Sequence, residues 1–84
     1  MSDYDDREIV LAAVQEDGRA LEFVDERFKD DREIVLAAVQ QNGWALEYAS
    51  ERLRDDDDIV RAAAEQNSDS TWYYASPRLQ NKKW

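Results

Sequence analysis

The eleven residues DDREIVLAAVQ occur twice, at 5–15 and at 30–40. A chain that repeats itself at a fixed spacing is confined to architectures made by stacking one unit on the next. At a period of 25 residues Ile9, Ile34 and Ile59 coincide, as do Gly18 and Gly43. The third copy is looser. DDDDIVRAAAEQN stands where the second has DDREIVLAAVQQN, one extra residue enters near Ser68–Ser70, and TWYYASPRL then matches ALEYASERL at an offset of 26. The 84 residues therefore read as one domain of three units, 5–29, 30–54 and 55–80, with short polar tails at 1–4 and 81–84.

Each unit reads as helix. Asp5 and Glu8 have the spacing of a capping box, in which the first side chain accepts from the N-terminal amides and the second reaches back. Asp30 with Glu33 and Asp55 with Asp58 repeat it. EIVLAAVQ supplies about three helical turns. Gly18 and Gly43 are expected to close that helix in the left-handed conformation. A shorter second helix follows. Asp25, Ser50 and Ser76 then share one alignment column, and all three are favoured N-caps. The next column holds Glu26, Glu51 and Pro77, and proline suits the first position of a helix but not its interior. The expected break there starts a short capped helical turn. Its rival is one continuous second helix of about ten residues, kinked only at Pro77.

The fold class is thus all-α: a solenoid-like, right-angled stack of three units, each a long helix, a glycine turn, a short helix and a capped turn. The long helix is apolar around most of its circumference, so it must be covered on more than one side. Leu21, Val24 and Phe28 form a facing stripe in the first copy, and Leu46, Ala49 and Leu53 do so in the second, with Phe23 and Tyr48 widening it. In the third copy Arg61 replaces Leu36, Ala64 replaces Val39 and Trp72 replaces Leu46. An outer face turning polar is what a terminal repeat needs. Leu36 and Val39 are therefore expected at the contact with the third copy, Arg61 in water, and Trp72 in the core, recovering the area lost with Ala64. On this reading the array ends with the third copy.

Composition narrows the function. Cysteine and histidine are both absent, which removes thiol nucleophiles, the usual zinc ligands and the commonest general base. The net charge of −9 disfavours nucleic-acid phosphates and anionic membrane surfaces, which are held by Lys and Arg clusters. No apolar run approaches the ~20 residues that span a bilayer, and the acidic start MSDYDDRE is not a signal peptide. A soluble, cytoplasmic protein is expected.

The pattern D-R-E-I-V-L-A-A-V, then N-G, then A-L-x-Y-A-S and R-L, together with ASPRL at 75–79, resembles the tandem helical repeat family catalogued as domain of unknown function 4116. The resemblance spans about residues 5–80 and is loosest in the third copy. It implies a helical repeat and a binding module, and it brings no catalytic residues with it.

Three groups of residues invite a functional reading. Asp5-Asp6, Asp30-Asp31 and the run Asp55–Asp58 could hold calcium or magnesium through carboxylate oxygens. They also stand where helix N-termini favour acids, and no calcium-loop pattern accompanies them. Paired carboxylates could serve glycoside hydrolysis, but that requires a cleft that three small units do not offer. The aromatics point elsewhere. Trp44 stands where the first copy has Arg19, Tyr73 where the second has Glu47, and Trp84 ends the sequence. Trp44, Tyr73 and Trp84 are the candidate partner-binding residues, because aromatics on rigid elements are common anchors. Against this, Trp44 could lie along its neighbour, and Tyr73 and Trp84 could fold over the open end. The expected function is a non-enzymatic, acidic protein-interaction or scaffold module without cofactor. Its partner would be a basic protein or a second copy. The alternatives are an acidic nucleic-acid mimic occupying a basic protein, and a weak divalent-cation binder.

Overall fold

The computed structural model describes residues 3–80, with side chains from residue 6 onward. Every element in that range is helical, and the order runs three times through one pattern. Helix α1 (Asp3–Glu16) leads to a 3-10 helix (Gly18–Phe23) and to the single turn α2 (Glu26–Lys29). Helix α3 (Arg32–Gln41) leads to a second 3-10 helix (Gly43–Tyr48) and α4 (Glu51–Arg54). Helix α5 (Asp57–Gln66) leads to α6 (Ser68–Tyr74) and α7 (Pro77–Gln80). The second segment is broken rather than continuous: Asp25 and Ser50 cap α2 and α4 from extended backbone, and Pro77 opens α7.

Two expectations about the ends of the long helices are corrected. The caps of α3 and α5 are Asp31 and Asp56, not Asp30 and Asp55. Each accepts from two amides at the helix start, Asp31 from those of Glu33 and Ile34 and Asp56 from those of Asp58 and Ile59. Asp30 and Asp55 instead end the preceding turns α2 and α4. Asp5 is not an N-cap either, because α1 begins at Asp3.

Gly18 and Gly43 do not supply left-handed turns, since no described residue has positive φ. The long helices are closed by Asp17, Asn42 and Asn67 in extended backbone, whose side chains then cap the segment that follows. The glycines are required by distance. A Cβ on Gly43 would lie 2.6 Å from the Ala63 carbonyl oxygen of α5, and one on Gly18 would collide with the Ala38 carbonyl of α3. Each glycine lets one unit's backbone touch the next unit's long helix.

The extra residue of the third copy changes its second segment from 3-10 to α. Six residues at the 3-10 rise of about 2.0 Å and seven at the α rise of about 1.5 Å span nearly the same length. The unit keeps its dimensions and shifts its register. Asn67 matches Asn42 as a cap, so Ser70 and Thr71 take the places of Ala45 and Leu46, and both are buried. Their hydroxyls donate to the Asn67 and Ser68 carbonyls at 2.8 Å. Trp72, expected in the core, is therefore 63% exposed.

The core is a file of apolar side chains running through the stack. Leu21, Ile34, Val35, Val39, Leu46, Leu53, Ile59, Val60 and Leu79 are all fully buried. Each contributes about 1.5–3 kcal/mol by leaving water. Helix α3 lies against α1 and the first 3-10 helix on one side, and against α5 and the second 3-10 helix on the other. Phe23, expected to widen the stripe, is exposed, whereas its counterpart Tyr48 is half-buried.

Gly43→Ala is expected to lower the unfolding free energy by about 1–3 kcal/mol, the usual cost of overpacking a close contact. Urea unfolding measures it; an unchanged midpoint would mean that the units do not touch at that backbone.

Candidate functional site

The aspartates of the second and third copies are engaged within the fold, and each adjacent pair, Asp30-Asp31 and Asp55-Asp56, is divided between two neighbours. Arg7 of the first unit donates to Asp31 at 2.8 Å and 3.0 Å and to Glu33 at 2.6 Å. Arg32 of the second donates to Asp56 at 3.0 Å and to Asp58 at 2.8 Å. The other member of each pair is held from the following turn. Asp30 accepts from the Ser50 hydroxyl at 2.6 Å and from Arg52 at 2.9 Å. Asp55 accepts from the Ser76 hydroxyl at 2.5 Å and from Arg78 at 2.9 Å. Asp57 also accepts from Arg78, at 3.1 Å. The run Asp55–Asp58 thus alternates, with 55 and 57 facing Arg78 and 56 and 58 facing Arg32.

These contacts set the acidities. The arginine hydrogen bonds hold the Asp31 and Asp56 carboxyls below the usual carboxylate range. Asp30 and Asp55 are held down first by the Ser50 and Ser76 hydroxyls and then by Arg52 and Arg78. Among the described residues no group of three or more acidic side chains is disposed to hold a metal ion. The candidate cation ligands Asp30 and Asp55–Asp58 face arginines instead.

What the fold leaves open is aromatic. Tyr73 is 65% exposed beside the equally open Trp72. Trp44, from the second 3-10 helix, is half-buried and lies along the third unit. Its ring centre is 6.0 Å from that of Tyr73 and 5.9 Å from that of Tyr74, which it meets edge-on. Tyr74 is half-buried against the core, and that burial, with Glu47 nearby, raises its phenol pKa. The structure brings together Trp44 and Tyr73; Trp84 falls outside the described residues. The extra residue of the third copy makes this shelf, because residues between Thr71 and Tyr74 must bulge outward once Thr71 holds the core position.

A groove of about 650 Å³ opens beside the shelf, walled by Tyr73, Tyr74, Pro77, Arg78, Glu51 and Arg54. Arg54 lines this groove, and its Nε is buried without a hydrogen-bond partner. Sequence reasoning missed Trp72, Tyr74 and Arg54. The signal was available in Ser70-Thr71, two hydroxyls that occupy the Ala45-Leu46 positions when the period of 25 is kept one residue pair further. Leu36 is half-buried against the core, and Arg61 is exposed.

Residues 6–54 and again 31–80 match one family model, described as Domain of unknown function (DUF4116). The two matches start 25 residues apart, one unit of the repeat. No curated protein and no solved structure matches the chain.

Two outcomes follow from this geometry. Trp72→Ala should leave stability within about 0.5 kcal/mol, as exposed substitutions do, whereas Trp44→Ala should cost about 1 kcal/mol or more by removing two ring contacts. Chemical denaturation of both variants checks this, and equal effects would place Trp44 outside the stack. The depressed carboxyls contribute stability that is present above the ordinary carboxylate pKa of about 4 and is lost as pH falls through their lower folded values. Thermal melts from pH 7 down to pH 2 should therefore show a steep loss below about pH 4, and a flat profile would mean that the clasps are absent in solution.

Proposed function

The chain belongs to the family of unknown function DUF4116, and we propose that it serves as a non-enzymatic protein-interaction module whose partner seats on the aromatic shelf of the third unit. The observation that carries this reading is that Trp72 and Tyr73 stay exposed on helix α6, beside a groove walled by Tyr73, Tyr74 and Pro77. Aromatics on rigid elements bury large area at little entropic cost, and they recur at the energetic centres of interfaces. The shelf is rigid because Trp44 and Tyr74 support it from beneath. A suitable partner presents an apolar side chain to the shelf. The net charge of −9 favours basic residues around it.

Capture from native lysate with the wild type and with Trp72→Ala/Tyr73→Ala, at low and at high salt, tests the reading. A partner retained by the wild type in high salt and lost with the two aromatics is the expected result. Retention by the variant with loss in salt would overturn the shelf and point to charge-driven docking of a basic protein.

A further inference from the structure

The first unit carries, uncovered, the face that the other two bury. Ile34 and Ile59 have no exposure, whereas Ile9, their counterpart, is 65% exposed. Val35 and Val60 are buried and Val10 is only half-buried. Ile59 stays covered although no described unit follows its own, so the cover comes from the unit before. The aromatic column agrees. Tyr48 and Tyr74 are half-buried and packed against the core, and Phe23, at the same place in the first unit, is 83% exposed. Ile9, Val10 and Phe23 line a groove of about 320 Å³ with Asp6 at its edge.

The two internal contacts show what such a face accepts. The incoming surface has an arginine (Arg7, Arg32) that clasps the acids of the next long helix. It has a leucine one turn on (Leu11, Leu36), and a glycine (Gly18, Gly43) against the next helix's alanine carbonyl. The corresponding surface of the third unit has Asp57, Arg61 and Ser68 at those places, all exposed. Asp57 would meet Asp6 and Glu8 as like charges. The Cβ of Ser68 would enter a space that leaves 2.6 Å at the Gly43 contact.

We propose that the face of the first unit formed by Ile9, Val10 and Phe23, edged by Asp6 and Glu8, is a docking surface. Its occupant is a helical repeat of this same type on another polypeptide, one bearing Arg, Leu and Gly where this chain has Arg7, Leu11 and Gly18. Asp57, Arg61 and Ser68 keep a second copy of this chain from taking that place. Without them the contact would be heterologous and open-ended, and copies would add head to tail. The surface lies in the first unit and is independent of the aromatic shelf.

The test is sedimentation velocity across a concentration series on the wild type, on D57R/R61L/S68G, and on the same variant carrying Ile9→Asp. All four positions are exposed, and helix content by circular dichroism verifies each fold. D57R/R61L, which keeps Ser68, serves should the triple variant lose helix. The wild type should sediment as a single small species. The restored variant should reach about twice that mass or more in the high-micromolar range, and Ile9→Asp should return it to the wild-type value. Mixing the Ile9→Asp form with wild type should give dimers and nothing larger. The proposal is overturned if the restored variants stay at the wild-type mass. It is also overturned if their association survives Ile9→Asp, or if the wild type associates through Ile9 unaided.

Discussion

The fold depends on the contact that α3 and α5 each make with the unit before them, which covers Ile34 and Ile59 where Ile9 of the first unit stays 65% exposed. Glycine sets the spacing of that contact by letting backbone reach the next helix's alanine carbonyl. Apolar burial supplies most of its energy, and the divided aspartate pairs set its register. Exposed ion pairs add little to stability singly, but bidentate arginines in a network fix geometry. One aspartate turns toward the unit behind while its neighbour turns toward the turn ahead. A shift of one residue along the helix would exchange the two and break both sets of bonds.

The same contact makes the two ends of the stack unlike. The first unit keeps the receiving letters unchanged, so it presents Ile9 and Phe23 to solvent. In the third unit the corresponding donating positions hold Asp57, Arg61 and Ser68. The one extra residue of that unit turns two aromatics outward on its flank. The described residues thus carry two distinct apolar surfaces, one where the repeat is interrupted and one on the long helix of the first unit.

The helical nature of the chain and the break at Asp25, Ser50 and Ser76 were legible in the sequence, because a column of N-cap residues followed by a column that admits proline has a single physical meaning. The role of the glycines was not. A left-handed turn and a close backbone approach both require glycine, and only the neighbouring helix distinguishes them. The caps were misplaced by one residue for a related reason. Asp30 and Asp31 are equally good N-caps locally, and the choice is made by Ser50 and Arg52, twenty residues away, which claim Asp30. Tyr73, aligned with Glu47, is exposed, whereas aligning by the aromatics puts the extra residue too early and so sets Trp72 inside. The buried hydroxyls of Ser70 and Thr71 mark where it belongs.

The division of the aspartate pairs between neighbours is tested most directly by double-mutant cycles on four pairs, using Arg→Gln and Asp→Asn so that capping at Asp56 is kept. The measurement belongs at physiological ionic strength, where exposed charges more than about 8 Å apart are screened. Coupling is expected between Arg32 and Asp56 and between Arg78 and Asp55, and none between Arg32 and Asp55 or between Arg78 and Asp56. Equal coupling in the crossed pairs, or none in any pair, would contradict the division.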